Sequence, residues 1–313
     1  MVIKMYQENL QKIQDEVNHV LRGKENVVRK VLAAMLGGGH ILMEDIPGVG
    51  KTTLATTFAK ALSLDYRRVQ FTPDVLPSDI LGFSMYNSKS GEFEFREGPI
   101  FSNLFLADEI NRTSPKTQSA LLEVMEERQV SAEGETRKLD EPFIVIATQN
   151  PTGSSGTQML PDSQLDRFLI CLSMGYPEHG AEVAMLKDEV WKQIAGVKQV
   201  ISLEEFKQLR DAVEKIFVHD AIYEYIVSLV EATRVNELFS MGASPRGGIA
   251  LLRMSRAMAL LDGRDFVTAQ DVQGVIMDVL GHRVKLSARA RAEGKDMPSC
   301  MQALLYAVKS PRS

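Results

Sequence analysis

Short apolar runs alternate with longer amphipathic stretches through the first half of the chain. Apolar runs separated by helix-length segments are typical of parallel strands that are covered by helices on both faces. The pattern therefore predicts an α/β fold with a five-stranded parallel sheet. The predicted strands lie near 40–43, 66–71, 104–108, 143–148 and 168–172, and two helices, at 5–22 and 25–36, precede them.

Two segments interrupt this alternation. Residues 72–101 contain three prolines, three glycines and alternating aromatic residues. The segment is too long for a simple connection, and its pattern leaves open a surface loop or an inserted element. Residues 129–142 have the pattern of a β-hairpin with Gly134 near its turn. Between the two segments, Ser114 and Pro115 predict the start of a helix.

Beyond Tyr176-Pro177 the pattern changes to amphipathic helices alone. We therefore expect an α/β domain over 1–175 and an all-α domain over 176–313. Helix starts are predicted at capping positions, which are Ser202 with Glu205, Asp220, Ser244, and Thr268 with Asp271.

The first predicted strand leads into a glycine-rich segment, Glu-Asp-Ile-Pro-Gly-Val-Gly-Lys-Thr-Thr at 44–53, followed by a helix-like run. Glycines let several backbone N–H groups converge on one centre, and a helix N-terminus adds the positive end of its dipole. The Lys51 ammonium can reach β- and γ-phosphates, and the Thr52 hydroxyl can bind Mg²⁺. The segment predicts a nucleoside triphosphate site formed by Pro47, Gly48, Val49, Gly50, Lys51, Thr52 and Thr53.

One residue departs from the generic phosphate-loop pattern. Asp45 stands where that pattern has its first glycine. A carboxylate directed at phosphates would repel them, so the phosphate site requires that Asp45 point away from the ligand. The motif alone leaves a second interpretation open, a chance glycine-rich turn before an amphipathic helix.

Two further predicted strands end in polar residues that can complete such a site. Asp108 ends one strand and is placed to hold Mg²⁺, and Glu109 can polarise the attacking water. Asn150 follows another strand, and its amide can bond the γ-phosphate or the water, although an asparagine before a proline also suits a turn. Carboxyl ends of parallel strands share one sheet edge, so we expect these residues beside the phosphate loop.

The order of these motifs resembles the MoxR family of AAA+ ATPases, in the helix-two-insert branch. The match extends from Gly23-Lys24 to about Gly281-His282-Arg283. In that family Glu-Asp-Val-Pro-Gly is a familiar form of the phosphate loop, so Asp45 counts less against phosphate binding. The other matching motifs are Leu-Ala-Asp-Glu-Ile-Asn-Arg (106–112), Ala-Thr-Gln-Asn-Pro (147–151), Gln-Leu-Asp-Arg-Phe (164–168) and Gly-Ala-Ser-Pro-Arg (242–246).

The resemblance implies a P-loop NTPase domain with a helical lid, and ATP hydrolysis with Mg²⁺ by a ring of identical subunits, for which we expect a hexamer. It gives Asn150 the role of first sensor, Arg167 that of an arginine finger, and Arg246 that of second sensor. It also implies that 72–101 is the family's insert and faces a central pore together with the hairpin at 129–142. Such proteins are chaperone-like remodellers of partner proteins, which often carry a von Willebrand factor A domain, in some cases with metal insertion.

The two arginines also have direct interpretations. Arg246 follows Ser244 and Pro245 in the first turn of a predicted helix, where a cation opposes the helix dipole. This unfavourable placement suits a functional role, although an ordinary salt bridge also explains it. Arg167 has its proposed role by resemblance alone, and Arg112 is a second candidate for contacts between subunits.

Composition narrows the function classes. A net charge of -5 and a pI near 5.7 disfavour a protein that binds nucleic acid with its whole surface, and they leave open a basic channel inside an oligomer. No apolar run is long enough to span a membrane and the N-terminus lacks a signal-peptide pattern, so we expect a cytoplasmic protein. Cys171 and Cys300 are the only cysteines and are expected in the core. The histidines are scattered without the spacing of metal ligands.

Three alternatives to a remodelling ATPase stay open at this point. They are a magnesium-chelatase-like motor, a nucleic-acid-translocating motor, and a nucleotide-gated scaffold that binds ATP with negligible turnover. The lack of a basic stripe disfavours the second, and the presence of Glu109, Asn150 and Arg167 disfavours the third.

Overall fold

The computed structural model describes residues 2–150, 159–180, 182–183 and 190–311. Its main sheet has five parallel strands in the order β2-β5-β8-β1-β9 and confirms the predicted α/β fold. The strands are β1 (Ile41–Glu44), β2 (Tyr66–Gln70), β5 (Leu104–Asp108), β8 (Ile144–Gln149) and β9 (Ile170–Leu172). The carboxyl ends of β1, β5 and β8 lie side by side, because β8 pairs with both of the others.

Side chains of the central strands alternate between two hydrophobic cores, as expected for a sheet buried on both faces. In β5, Leu104 and Leu106 enter the first core, whereas Phe105 and Ala107 enter the second. The first core contains α1 (Val2–Val20), α2 (Glu25–Leu36), α3 (Lys51–Ala61) and helices of the C-terminal half. The second contains α4 (Pro77–Leu81) and α5 (Pro115–Glu127).

His40 lies at the start of β1 and is buried between the sheet and α5. Its Nδ1 accepts a hydrogen bond of 3.0 Å from the Val145 N–H, so the neutral ring carries its proton on Nε2. Nε2 then donates to the Met125 carbonyl at 2.9 Å. Burial lowers the pKa of His40 to about 4, although the Met125 carbonyl opposes the shift. The ring is therefore neutral at pH 7 and has a structural role.

Residues 72–101 form elements of their own rather than a structureless loop. After α4, β3 (Gly82–Asn87) and β4 (Glu92–Glu97) pair as an antiparallel hairpin. A second hairpin is formed by β6 (Gln129–Ala132) and β7 (Glu135–Lys138), and Gly134 adopts a positive φ of 82° in its turn. The hairpins touch, because the Ser84 N–H donates to Glu133 at 3.2 Å and Arg137 lies over the Phe95 ring.

The C-terminal half is predominantly helical, as predicted. Ser202 with Glu205 and Thr268 with Asp271 form the expected capping boxes, and Ser244 caps its helix. The helices are α6 (Asp162–Leu165), α7 (Val190–Gly196), α8 (Leu203–Glu214), α9 (Asp220–Val235), α10 (Pro245–Leu261), α11 (Ala269–Leu280), α12 (Ala288–Ala292) and α13 (Met297–Ala307).

Two details of this half differ from the predictions. The N-cap of α9 is His219, whose Nδ1 accepts from the Ala221 N–H at 3.1 Å, and Asp220 is the first helical residue. Asp220 still lies in the first turn, where a carboxylate suits the helix dipole. In addition, β10 (Phe239–Met241) and β11 (Lys285–Leu286) form a small antiparallel sheet. Strands this short carry no readable periodicity.

Asp166 connects the helical half to the sheet. Its carboxylate accepts hydrogen bonds from Arg283 Nε at 2.9 Å and from the Ser244 hydroxyl at 2.7 Å. The Arg283 side chain is buried and also donates to the Leu169 carbonyl at 3.1 Å. Removal of Asp166 would leave the buried Arg283 charge without a carboxylate partner, so this contact holds the helical half against the sheet. Among the described helices, none is long and apolar enough to cross a bilayer.

Candidate active site

The segment between β1 and α3 has the backbone geometry of an anion-binding loop. Gly48 and Gly50 adopt positive φ angles of 86° and 98°, a conformation that glycine reaches without strain. Gly50 caps α3, and no side chain bonds the free N–H groups of the first turn. These groups and the helix dipole therefore remain available for phosphate oxygens. The loop opens onto a pocket of about 390 Å³, which every predicted phosphate-loop residue except Val49 lines.

Lys51 lines this pocket. Its Nζ donates to the carbonyls of Asp45 at 2.8 Å and Ile46 at 3.1 Å. Burial lowers the pKa of Lys51 below its usual range, and the carboxylates of Asp45, Asp108 and Glu109 oppose this shift. The ammonium thus lies among acceptors that a triphosphate can replace.

The Asp45 carboxylate is held by other groups, as the sequence analysis required for a phosphate-binding loop. Its buried carboxylate accepts from the Ser173 hydroxyl at 2.8 Å and the Gly175 N–H at 3.1 Å, and also from the Met174 N–H. The carboxylate therefore binds the chain segment that follows β9 and is not free to meet a phosphate. From the other side, Lys24 Nζ donates to the carbonyls of Met174, Gly175 and Tyr176.

The two predicted carboxylates lie at the same edge of the sheet and line the pocket. Asp108 accepts from the Thr148 hydroxyl at 2.6 Å and from Arg68 at 2.7 Å. Glu109 adopts a positive φ of 58°, which is uncommon for a residue other than glycine and typical of functional sites. Its N–H donates to Thr148 at 2.8 Å.

The Glu109 carboxylate pairs with Arg112 at 2.7 Å. Arg112 therefore lies beside the carboxylate of its own chain. Asn150 also lines the pocket, and the Asn111 amide donates to its carbonyl at 3.3 Å. Pro151, the next residue of the matching motif, lies outside the described residues.

Sequence reasoning missed several residues of this site. Thr148 bridges Asp108 and Glu109, and Arg68 pairs with Asp108 from the edge strand β2. Gln149 is buried at the end of β8 and donates to Glu44. Thr148 and Gln149 stand in the Ala-Thr-Gln-Asn-Pro motif, so the motif carried a signal for them. Arg68 carried none, because its partner is 40 residues away.

The pocket fits a nucleotide with Mg²⁺. Magnesium prefers hard oxygen ligands and keeps several waters, so one or two protein oxygens beside the phosphates suffice. The Thr52 hydroxyl and the Asp108 carboxylate supply such oxygens in the same pocket. Within the described part of the chain no group of three or more metal-ligating side chains occurs.

Arg167 and Arg246 lie elsewhere. Neither lines the phosphate pocket of this chain. Both line a separate cavity of about 510 Å³ between the start of β1, the end of α5 and the helical half. There both guanidinium groups form salt bridges with the Glu126 carboxylate, and Arg167 Nη2 lies 3.2 Å from Glu126 Oε2. The structure therefore brings together the phosphate loop, Asp108, Glu109 and Asn150, and separates both arginines from them.

Comparison with known proteins agrees with this geometry. Residues 40–170 match the ATPase family associated with various cellular activities (AAA), and residues 231–302 match the AAA lid domain. The fold and the pocket thus define an AAA ATPase domain with its lid. The crystal structure of a candidate ATPase from Cytophaga hutchinsonii ATCC 33406 superposes with a TM-score of 0.91 and 37% identity, over 99% of this chain and 97% of that one.

Two relatives narrow the class. Chaperone MoxR1 of Mycobacterium tuberculosis (strain ATCC 25618 / H37Rv) is 40% identical over 95% of this chain and 81% of its own length. YeaC of Bacillus subtilis (strain 168), an uncharacterised protein, is 47% identical over 98% of this chain and 97% of its own. The chain belongs to the MoxR family of AAA+ ATPases, as its motif order predicted.

Proposed function

We propose that this chain binds ATP with Mg²⁺ and hydrolyses it within a ring of identical subunits, as a chaperone-like remodeller of partner proteins. The observation that carries the proposal is the pocket at the sheet edge. It combines a glycine-rich loop, a helix N-terminus without a side-chain cap, Lys51 and two carboxylates in about 390 Å³. These are the parts that phosphoryl transfer requires, because it depends on charge neutralisation and a positioned nucleophile.

Each residue has a defined task in this mechanism. The phosphate loop and Lys51 hold the β- and γ-phosphates, and Thr52 with Asp108 holds the Mg²⁺, which neutralises charge on the phosphates. Glu109 orients the attacking water and accepts its proton, and Asn150 bonds the γ-phosphate or the water. The Thr148 hydroxyl donates to the Asp108 carboxylate and accepts from the Glu109 backbone N–H, so Thr148 acts as a positioning residue.

The arginines support a site shared between subunits. Charge that develops on the transferred phosphoryl group is commonly stabilised by an arginine, which another chain can supply. Arg167 and Arg246 line a cavity distinct from the phosphate pocket of their own chain, which favours action on the pocket of a neighbour. Arg112 pairs with Glu109 of its own chain, which disfavours it as the finger.

The chaperone-like role rests on the family and on the exposed hairpin of β3 and β4. Phe93, Tyr86 and Phe83 on this hairpin are 75%, 55% and 47% exposed, which suits contact with a client. In this proposal residues 1–175 form the nucleotide-binding domain and 176–313 the lid. The insert at 72–101 and the hairpin at 129–142 face the centre of a ring, expected to be a hexamer, and clients with a von Willebrand factor A domain are one class to test.

The decisive experiment begins with Glu109→Gln, which keeps the size of the side chain but removes the carboxylate that orients water. We expect normal ATP binding and phosphate release slower by roughly 10² or more. Arg167→Ala should also be inactive, with ATP binding by each subunit unchanged. The control is Glu127→Gln, which makes the same change at an exposed residue that does not line the phosphate pocket. This variant should hydrolyse ATP at the wild-type rate.

Mixing the two inactive variants tests whether the site is shared. Some interfaces of mixed rings pair an intact Glu109 with an intact Arg167, so activity should partly return. If ATPase activity does not recover at any mixing ratio of the two variants, in rings confirmed to be mixed, the site is not shared between subunits. Turnover by Glu109→Gln within a few-fold of wild type would show that another carboxylate, with Glu44 first to test, is catalytic.

A further inference from the structure

A single carboxylate holds both arginines that are proposed to act on a neighbouring subunit. Glu126 lies in the last turn of α5. Its Oε2 is 3.2 Å from Arg167 Nη2, and its Oε1 accepts from Arg246 Nη2. Arg167 follows α6 and Arg246 lies in the first turn of α10, so the contact joins three elements through one side chain.

Among the described residues that line the cavity, no other carboxylate is available to pair with both arginines. Two acidic residues, Glu126 and Asp166, occur among the described residues that line the cavity. Asp166 already accepts from Arg283 and Ser244. Without Glu126, both guanidinium groups would lose their counter-charge in a cavity that Arg128, Arg253 and Arg283 also line. Like charges held close together repel, so the two side chains would move apart.

The group can still receive an anion. The side chains of Arg246, Glu126 and Arg167 are 50%, 36% and 31% exposed. A guanidinium has five donors in a fixed fork, so one bond to Glu126 leaves donors on each arginine for phosphate oxygens. Glu126 also offsets the cost of Arg246 in the first turn of a helix, where a cation opposes the dipole.

We propose that Glu126 is a positioning residue that holds Arg167 and Arg246 as one anion-binding unit for the triphosphate bound to a second copy of this chain. The inference rests on the proposed function, because it assumes that these arginines complete the pocket of the neighbour. Glu126 touches neither the nucleotide nor the water and acts through the two guanidinium groups.

The first test compares Glu126→Gln with Glu127→Gln, which removes the same charge from the next residue of the same helix. We expect kcat of Glu126→Gln to fall by roughly 10- to 10²-fold, the range for misplaced catalytic groups, with the Kd of ATP for the subunit unchanged. Glu127→Gln should match the wild type. Glu126→Asp keeps the charge and should restore part of the lost kcat.

The loss should also depend on the arginines. In an Arg167→Ala, Arg246→Ala background, the further change Glu126→Gln should have no effect on the residual rate, because nothing is left to position. A purely structural salt bridge predicts instead that Glu126→Gln lowers the melting temperature and weakens ATP binding together. That outcome, or a kcat equal to that of Glu127→Gln, would overturn the inference.

Mixed rings locate the defect. Glu126→Gln mixed with Glu109→Gln should regain activity, since intact arginines of one variant then meet an intact Glu109 of the other. Glu126→Gln mixed with Arg167→Ala should regain none, because both lesions lie on the same side of the interface. Recovery in the second mixture would refute the role of Glu126. If the wild-type protein releases no phosphate from ATP, the proposed function itself is wrong. If Glu126→Gln hydrolyses ATP at the wild-type rate while Arg167→Ala is inactive, only the inference about Glu126 is refuted.

Discussion

Lys51→Ala removes the ammonium group that lines the phosphate pocket beside the glycine-rich loop. In the structure this ammonium donates to the carbonyls of Asp45 and Ile46 at 2.8 and 3.1 Å, and a bound triphosphate would take over these donors. A hydrogen bond to a charged group contributes about 1.5–3 kcal/mol. At about 1.4 kcal/mol for each factor of ten, we expect the Kd of ATP to rise roughly 10- to 150-fold.

Calorimetric titration with ATP in excess Mg²⁺ measures this change directly. The matched control is Lys60→Ala, on the same helix, whose exposed ammonium donates to the Ile194 carbonyl away from the pocket. That control should keep the Kd of the wild type within about twofold, as expected for an exposed lysine that meets no phosphate. A Lys51→Ala protein that also binds within a factor of two would show that this loop does not hold the phosphates.

The same lysine predicts a pH dependence. Burial lowers the pKa of Lys51, so the ammonium loses its proton at a lower pH than an ordinary lysine does. The phosphates bind the protonated form, and affinity for ATP should therefore weaken as the pH rises through this lowered pKa. Lys51→Ala should lack that alkaline loss. Identical pH profiles for the two proteins would refute the assignment of the titrating group.

Two further predictions concern stability, and urea denaturation measures both. Asp45→Ala leaves the Ser173 hydroxyl, the buried Met174 N–H and the half-buried Gly175 N–H without an acceptor and should cost about 3 kcal/mol, with Asp45→Asn costing about half; unchanged midpoints would show that these hydrogen bonds contribute nothing. His40 has a folded pKa of about 4 against 6.5 unfolded, so its contribution is present above pH 6.5 and is lost as the pH falls towards 4. Between pH 6.5 and 5 we expect a loss of about 2 kcal/mol that His40→Gln lacks, and equal slopes for both proteins would contradict this.

The sequence predicted the parts of the site that follow strands directly. Asp108, Glu109 and Asn150 each stand at or just after the end of a predicted strand, and parallel strands bring such positions to one edge. Lys51 was predicted from the glycine-rich motif that follows another of these strands. The five strands could also be predicted from the sequence. Each is either a continuous apolar run or an edge strand that pairs with such a run. Local capping residues such as Ser202 were readable because their partners lie three positions away.

Contacts between distant segments could not be read in this way. Glu126 meets Arg246 over 120 residues, and Asp45 meets the segment after β9 over about 128. Each residue is unremarkable in its own neighbourhood, because an acidic residue near a helix end or in a loop is common. The small sheet of β10 and β11 was missed because such short strands leave no period. His219 was missed as a cap because its neighbour Asp220 has the stronger general preference.

Helix α5 has a consequence for the order of events in the proposed ring. It begins just after the turn that carries Glu109 and Arg112, and Glu126 stands in its last turn. At 1.5 Å per residue its 13 residues measure about 20 Å, and its buried face is packed into the second core. In the proposed ring, this helix runs in each subunit from the turn that carries Glu109 to Glu126, which holds the arginine pair proposed to act on the next site. A shift of this helix when phosphate leaves would move Glu126 together with its two arginines, which provides a physical basis for subunits to hydrolyse ATP in succession.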